Sequence, residues 1–431
     1  MDSFVTAKIP CSVDINVFKA YFDVEKLRST SFPPNRLNAF DLWFDRNSPK
    51  TLRHLILDKL AEQWDVSPIY EELPSKADKN YILDKINMNI PINILCCHIK
   101  EDFFWRKCYM YRWRGKYPAS TENRKWISIY MEKHLQDHLQ NLSPQEYEEE
   151  STQNILDIVS PFVVDMVIDY LQPSIDIDHY DHIPLNQVLS NLPNLKTLRI
   201  TFSTKTAKTN FFLNCNKMSR NDIISFSRGL RKCYELEELY LHSVPLEPFM
   251  LLYLAKSLDT GCTNIKKLTI AHCLIGDLGI YEFLNGCSKE SFPKLKILDL
   301  TNNMISPSGT YALAKSLVGR SLMELSLRLN PIESGGTAPI ISAVQLMPNL
   351  ESLNLSGCSL NDDIVKMLLK MIIENKTLTS LNLSNNDFTK DTGKNIYRVI
   401  GFNKTLKKID LRNTGATLDI KNRIDDILSK N

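Results

Sequence analysis

Apolar residues recur along the C-terminal half of the chain in the pattern L-x-x-L-x-L, and in most copies an amide or a cysteine follows three residues later. In one copy, Leu378, Leu381 and Leu383 are followed by Asn386 and then by Phe388. The copies begin at Leu195, Leu236, Ile265, Leu295, Leu322, Leu350, Leu378 and Leu406. The first step spans 41 residues and the later ones 27 to 30, so the pattern indicates a repeat architecture.

Each repeat predicts a short strand followed by a helix. Alternation places the leucines on one side of a strand and the residues between them on the other. A repeat of about 28 residues also has room for a return helix, and the apolar spacing from Ile364 to Ile372 supplies an example. The Asn of each turn would bond backbone groups that are otherwise buried unpaired. The predicted fold class is α/β: a leucine-rich-repeat solenoid of about eight repeats, a horseshoe like that of ribonuclease inhibitor, behind a mostly α-helical N-terminal domain.

The residues before the repeats show helical periodicity. A helix is predicted from Thr51 to Trp64, with Thr51 as its N-cap. Its apolar face is predicted to consist of Leu52, Leu55, Ile56, Leu60 and Trp64. Short helices are predicted from Pro74 to Ile86 and from Ile90 to Ile99, and longer ones from Trp126 to Leu142 and from Ile155 to Leu171. This periodicity indicates a mostly helical N-terminal region.

The same patterns predict three regions. Residues 1–50 form an irregular N-terminal segment, residues 51–181 a mostly helical domain, and residues 182–431 the leucine-rich-repeat domain, which ends in a capping helix near Thr417 to Leu428. The long first step leaves an insertion from Ser203 to Lys217. This insertion either caps the first repeats or binds a partner, because terminal repeats need their cores covered.

Charge is distributed unevenly along the chain. Residues 1–190 contain 21 Lys and Arg against 28 Asp and Glu, a formal charge of −7, and residues 191–431 contain 31 against 22, a charge of +9. Two interpretations stay open: two solvated surfaces of opposite bias, or a C-terminal array that binds an acidic partner. The ten cysteines show no paired short spacing of a zinc site or a disulfide framework, so reduced, buried thiols in a cytosolic compartment are expected.

Motifs for other functions are weak. Aromatic and basic residues alternate between Glu101 and Trp126 as in a nucleic-acid site, but an amphipathic helix with packed aromatics explains them as well. His134 and His138 have the i, i+4 spacing of metal ligands but lack a third ligand. No phosphate-binding loop, dinucleotide fingerprint or nucleophile elbow is present. We therefore expect no enzyme activity, cofactor, metal, nucleic acid or membrane span, and neither a secretory leader nor secretion.

The leucines are committed to the core, so recognition is expected from the strand residues that point the other way. These carry mixed charges and small hydroxyls, which suit a protein or peptide ligand, and Tyr240 and Arg328 are the best anchors. The candidate partner-binding residues are Arg199, Tyr240, His242, Lys267, Asp299, Glu324, Arg328, Asn354, Asn382, Asp410 and Arg412.

Four stretches carry a family resemblance. They are QWDVSPIYEELP from Gln63, FFWRKCYMYRW from Phe103, YMEKHLQDHL from Tyr130 and, inside the array, LSLRLNPIESGG from Leu325. Together they resemble the dynein regulatory complex subunit 5 family, the T-complex-associated testis-expressed leucine-rich-repeat proteins of the axonemal nexin link. The resemblance covers most of residues 52–428 and departs in the first 50 residues and in the loop after the first repeat.

The resemblance implies a non-enzymatic structural and regulatory subunit of motile cilia and flagella. Such a subunit would act in the cytoskeleton of the axoneme as a docking scaffold for other subunits of the complex, with tubulin or inner-arm dynein nearby, and would help to regulate dynein-driven motility. A second interpretation comes from LP at Leu73, from Ile82 and Leu83, from the stretch Ile90 to Leu95 and from WRK at Trp105. These resemble an F-box ahead of leucine-rich repeats, which implies a substrate adaptor of a ubiquitin ligase. A GTPase-activating repeat protein fits less well, because such proteins begin their repeats near the N-terminus.

Overall fold

The computed structural model describes residues 50–118, 121–174, 181–202, 217–288 and 290–431. The predicted irregular segment, apart from Lys50, and the predicted insertion, apart from Lys217, lie outside these residues. The chain divides into two compact units, Met1–Met131 and Glu132–Asn431. The predicted boundary at residue 181 stays a prediction.

The described part of the first unit is helical, as the sequence predicts. Its helices are α1 (Leu52–Glu62), α2 (Lys76–Lys85), α3 (Ile92–His98), α4 (Asp102–Arg112) and the start of α5 (Trp126–Asn141). Thr51 is the N-cap of α1, because its side chain accepts a hydrogen bond from the backbone N–H of His54. Ser75 caps α2 in the same way. Arg53 of α1 pairs with Asp78 of α2 at 2.7 Å and so joins the two helices.

The predicted apolar face of α1 is wrong. Leu57 and Ala61 are buried, whereas Leu52 is 73% exposed, and Leu55 and Ile56 are also exposed. Trp64 is buried as expected. The sequence contains two overlapping helical stripes, and hydrophobic periodicity alone does not say which one meets a neighbouring helix.

Three of the aromatic residues of α4, Phe104, Trp105 and Tyr109, form core, whereas Tyr111 is exposed. Phe104 and Trp105 are fully buried, and the indole N–H of Trp105 donates to the carbonyl of Ile99 at 3.0 Å. The Lys107 ammonium donates to the carbonyls of Leu83 and Asp84 at the end of α2. The packing therefore supports an amphipathic helix with packed aromatics for this aromatic and basic stretch.

The second unit contains a nine-stranded parallel sheet in which strand order follows chain order. The strands are β1 (Asp165–Ile168), β2 (Thr197–Ile200), β3 (Glu238–His242), β4 (Lys267–Ala271), β5 (Ile297–Asp299), β6 (Glu324–Ser326), β7 (Ser352–Asn354), β8 (Ser380–Asn382) and β9 (Lys408–Asp410). Strands alternate with helices, so the predicted α/β leucine-rich-repeat solenoid is confirmed.

The helices of the second unit follow the strands along the chain. They are the rest of α5, α6 (Glu149–Val159), α7 (Leu185–Ser190), α8 (Arg220–Leu230), α9 (Pro248–Gly261), α10 (Gly276–Gly286), α11 (Pro307–Leu317), α12 (Glu333–Val344), α13 (Val365–Glu374), α14 (Lys390–Ile400) and α15 (Leu418–Leu428). A short 3-10 turn, Asp362–Ile364, precedes α13. Ile424 and Leu428 of α15 are buried.

Strand β1 replaces part of a predicted helix. The helix expected from Ile155 to Leu171 ends at Val159, and β1 begins at Asp165. Met166 and Ile168 of β1 are aligned with Leu198 and Ile200 of β2, so these residues form one further repeat without leucine at its strand positions. Glu132 of α5 accepts hydrogen bonds from the backbone N–H groups of Val164 and Asp165 at 3.1 and 2.9 Å and so satisfies donors at the first edge of the sheet.

Buried asparagines join the turns of successive repeats. Asn330 is fully buried, and its side-chain oxygen accepts from the backbone N–H groups of Asn303 and Ile305 in the preceding repeat. Cys273 and Cys358 occupy the same turn position, and their thiols lie 3.2 Å from the carbonyls of Ala271 and Leu327. Asn330 and Cys358 thus supply hydrogen-bonding partners for backbone groups that the preceding repeat leaves inside the turn.

Candidate functional site

The register of the sheet gathers the predicted partner-binding residues on one side. We call this side, opposite the buried leucines, the strand face. One row contains Thr197, Glu238, Lys267, Ile297, Glu324, Ser352, Ser380 and Lys408, and the next contains Arg199, Tyr240, Thr269, Asp299, Ser326, Asn354, Asn382 and Asp410. His242, Arg328 and Arg412 lie two residues beyond the second row. All eleven predicted residues therefore lie in these rows or directly after them.

Tyr240 is held between two cations. The Arg199 guanidinium lies 4.5 Å from the centroid of the Tyr240 ring, and the Lys267 ammonium lies 5.1 Å from it. The Tyr240 hydroxyl donates to the carboxylate of Glu238 at 2.6 Å. Two cation–π contacts and one charge-assisted hydrogen bond restrict the ring to one orientation, so β2, β3 and β4 present a preorganised aromatic anchor.

A hydroxyl beside this anchor lacks a partner. Thr269 is the residue of β4 opposite Tyr240, and it is 9% exposed. Its hydroxyl has no hydrogen-bond partner among the residues that the structure describes. A buried hydroxyl without a partner is unfavourable, so Thr269 carries a local cost beside the anchor.

Two histidines continue the site toward the ends of β3 and β4. His242 is exposed, and its ring centroid lies 4.8 Å from that of His272. Partial burial, and then the neighbouring His272, hold the pKa of His242 below its ordinary value. The imidazole Nδ1 of His272 contacts the side-chain amide of Asn302 at 2.8 Å. A neutral imidazole can both donate and accept a hydrogen bond, which suits contact with a polypeptide backbone.

Four predicted residues of the second row also hold the strand ends in place. The side-chain oxygen of each accepts a hydrogen bond from the backbone N–H two residues later, at 3.0 to 3.1 Å; the four are Asp299, Asn354, Asn382 and Asp410. Arg412 pairs with Asp410 at 2.6 Å, and the side chain of Arg412 is 79% exposed while that of Asp410 is 10% exposed. This part of the strand face is rigid because its acceptors are committed to local bonds.

The positive part of the strand face lies over β2 to β4. Glu237 pairs with Lys266 at 2.6 Å and with Lys196 at 3.7 Å. The hydrogen bond from Lys266 holds the pKa of the Glu237 carboxyl below its ordinary value. Lys196, Lys266, Arg199 and Lys267 together carry four positive charges. Because Glu237 and Glu238 supply only two negative charges here, the local field favours an acidic ligand.

Two features are absent from the part of the chain that the structure describes. That part contains no group of three His, Cys, Asp or Glu side chains that could hold a metal ion. None of its helices is long and apolar enough to cross a bilayer. His138 is partly buried, and burial lowers the pKa of its imidazole.

The sequence reasoning missed one strand of the face. Val167 of β1 is aligned with Arg199 and extends the second row by one position. The signal was present, because Val163, Met166 and Ile168 keep the i, i+3, i+5 spacing of the later repeats with other apolar residues in place of leucine. Lys196, Glu237 and Lys266 were also missed, because each lies one residue before its strand.

The fold and the strand face define the class as an α/β leucine-rich-repeat protein. Residues 293–314, 347–369 and 374–395 match the Leucine Rich repeat family.

Curated relatives give a more specific similarity than the repeat family does. Dynein regulatory complex subunit 5 of Mus musculus is 25% identical over 248 residues, which are 53% of this chain and 49% of that protein. The Homo sapiens protein of that name is 25% identical over 249 residues, with the same two shares. The Chlamydomonas reinhardtii protein is 24% identical over 196 residues, 46% of this chain and 48% of its own. The resemblance found from the sequence is confirmed at this level, and the chain spans about half the length of the curated relatives it matches.

Proposed function

We propose that this protein is a non-enzymatic structural and regulatory subunit of the nexin–dynein regulatory complex, located in the axoneme of motile cilia and flagella. The observation that carries the proposal is similarity over 53% of the chain to a protein named dynein regulatory complex subunit 5. The solenoid is compatible with such a role, because stacked repeats provide an extended surface for protein partners.

The strand face is the proposed docking surface for another subunit of the complex. Tyr240 and its two flanking cations resemble the aromatic and Arg anchors that carry much of the energy in protein interfaces. The cations over β2 to β4 favour an acidic segment of the partner. The helical first unit would provide a second contact, so that one chain bridges two partners. Tubulin and inner-arm dynein are candidate neighbours.

The protein would regulate dynein-driven motility by transmitting mechanical strain and not by catalysing a reaction. A sheet whose turns are joined through buried Asn330 resists bending, because distortion would break hydrogen bonds that water cannot replace. A rigid link between axonemal partners would transmit strain from one to the other and so shape dynein-driven bending.

The test replaces Tyr240 in ciliated cells that lack the endogenous protein. Tyr240→Ala removes the anchor, and Tyr234→Ala is the matched control, since Tyr234 is 57% exposed and lies before β3. The control should restore beating and should cross-link to regulatory-complex subunits in isolated axonemes, whereas Tyr240→Ala should lose both at an unchanged melting temperature. Normal beating and a normal nexin link in cells without the protein would contradict the proposal. Recovery of Skp and cullin subunits in place of axonemal ones would favour the ubiquitin-ligase adaptor.

A further inference from the structure

A patch of exposed apolar side chains lies at the turns where strands β4 to β6 lead into their helices. We call it the turn patch; its members are Leu274, Leu278, Tyr281, Met304, Tyr311 and Leu329. Leu278 and Tyr311 are 69% and 64% exposed. Single exposed apolar residues are normal on a protein surface, but six on three successive repeats mark a candidate interaction site.

Three members have a backbone conformation that disfavours their own side chains. Leu274, Met304 and Leu329 have φ values of 51°, 58° and 58°, in the left-handed region that bulky residues rarely occupy. Asn302, Gly357, Asn385 and Asn413 occupy the position of Leu329 in their own turns, and Ser359 occupies the position of Leu274 and Met304. Gly and Asn tolerate this conformation. Leucine and methionine therefore destabilise the fold here in two ways: their backbone is strained, and their apolar side chains are exposed to water. Such local cost is typical of positions retained for binding.

Hydrogen bonds between the turns show that the patch is continuous. The backbone N–H of Gly276 donates to the carbonyl of Asn303 at 2.8 Å, which places the turn of Leu274 against that of Met304. The hydroxyl of Tyr281 donates to the carbonyl of Ser308 at 3.2 Å and so lies against the start of α11. The backbone N–H of Asn302 donates to the carbonyl of Arg328 at 2.8 Å, which brings Leu329 beside the same turns.

The rim of the patch is mainly acidic. Glu247 precedes α9, Asp277 lies in the first turn of α10, and Glu333 begins α12. Glu282 follows Tyr281 in the chain, and the basic residues of these repeats include Lys256 in α9, Lys315 in α11 and Arg328 after β6. The Asp277 carboxylate is held in position because it accepts a hydrogen bond from the backbone N–H of Ser306 at 2.8 Å. An apolar row with this rim complements a cationic, amphipathic ligand.

We propose that the turn patch binds an amphipathic α-helix of a partner protein, with an apolar stripe flanked by Lys and Arg. Successive turns of a helix lie about 5.4 Å apart, close to the spacing of about 4.8 Å between neighbouring strands. A helix that crosses the repeats would therefore place one apolar residue against each of Leu274 and Met304, which occupy the same turn position, with Leu329 beside them. The inference deepens the proposed scaffold function and rests on it for the premise that the chain binds other proteins.

A binding assay with the purified full chain tests the inference. The probe is a fluorescent synthetic helix of about six turns, with leucines along one stripe and lysines elsewhere, followed by anisotropy. The variant carries Leu274→Asn and Met304→Asn, because Asn accepts the left-handed conformation. The variant should bind the probe about tenfold or more weakly while its melting temperature stays equal or rises. The matched control Phe402→Asn, at a residue that is 71% exposed in another turn, should bind as the unaltered chain does.

Several outcomes would overturn the inference. Equal binding by the double variant would do so, as would equal binding of a probe with glutamates in place of the lysines. A melting temperature lowered well below that of the control would give Leu274 and Met304 a structural role instead. A photo-cross-linker at position 278 that reacts only with a second copy, or only with residues 1–49, would assign the patch to that occupant.

The axonemal scaffold function and the helix-binding role of the turn patch can each be disproved without the other. If the double variant still assembles with axonemal subunits but neither variant nor unaltered chain binds the probe, the turn patch is wrong and the scaffold function stands. If the probe binds as expected but no regulatory-complex subunit cross-links to the chain, the patch stands and the axonemal function is wrong.

Discussion

The side-chain oxygen of Asn386 accepts a hydrogen bond from the backbone N–H of Cys358, one repeat earlier, at 2.9 Å. The same oxygen accepts from the N–H of Leu360 at 3.1 Å. The amide nitrogen of Asn386 donates to the carbonyls of Leu355 and Leu383, both at 2.9 Å. With a further bond to the carbonyl of Ser384 at 3.3 Å, one side chain satisfies five backbone groups, and three of them belong to the neighbouring repeat.

Removal of this amide should therefore cost more than the loss of one hydrogen bond. Asn386→Ala leaves buried donors and acceptors unpaired, and we expect the free energy of unfolding to fall by about 3 to 5 kcal/mol. Asn386→Cys is the matched control, because Cys358 already occupies this position one repeat earlier, and its cost should be clearly smaller. Urea denaturation followed by circular dichroism measures both. Equal stability of the alanine variant and the unaltered protein would refute the bridging role.

The inward leucines of the strands should be among the costliest residues to truncate. Leu381 is 1% exposed, and Leu381→Ala should lower the free energy of unfolding by about 2 to 5 kcal/mol through lost burial and a cavity. Leu346→Ala is the comparison, since Leu346 is 61% exposed and should cost less than about 0.5 kcal/mol. Thermal and urea unfolding of the two variants gives the difference, and an unchanged melting temperature for Leu381→Ala would be incompatible with the fold.

The pairing at the end of β9 should make stability depend on pH. The Arg412 guanidinium holds the pKa of the Asp410 carboxyl below its ordinary value. The stabilisation is fully present above the pKa of unfolded Asp, about 3.9, and is lost as pH falls through the lower folded pKa. Asp410→Asn keeps the backbone acceptor, as Asn354 and Asn382 show, but loses the charge.

Urea midpoints measured from pH 7 to pH 3 check this prediction. The unaltered protein should exceed Asp410→Asn in stability at neutral pH, and the difference should shrink in acid. A difference that stays constant with pH would show that the ion pair does not contribute. Arg412 is largely exposed, so the effect should also weaken in high salt.

The buried thiols should be unreactive in the folded protein. Burial raises the pKa of Cys108, Cys233, Cys273 and Cys358 to about 12 in each case, and the thiolate is the reactive form. Cys97 is exposed. Alkylation with iodoacetamide at pH 8, followed by peptide mass spectrometry, should label Cys97 and leave the four buried cysteines unlabelled until urea unfolds the chain. Rapid labelling of Cys273 or Cys358 without denaturant would contradict their place inside the turns.

The repeats were predictable because their information is local. Strand, turn and inward side chain all follow from residues within one copy of L-x-x-L-x-L, and every predicted copy corresponds to a strand from β2 to β9. Strand β1 was missed because Val163, Met166 and Ile168 follow the spacing without leucine. The apolar face of α1 was misassigned because both stripes have helical spacing, and only contact with the rest of the first unit selects Leu57 and Ala61.

The sequence alone determined that this chain builds a leucine-rich-repeat solenoid and which strand residues point away from its core, because both follow from spacing along the chain. The tertiary structure decided which of those residues work together. Arg199, Tyr240 and Lys267 belong to three repeats, and the ring lies between the two cations only because β2, β3 and β4 are neighbours in register. The turn patch likewise depends on backbone conformation and stacking between repeats, which no pattern within a single repeat contains.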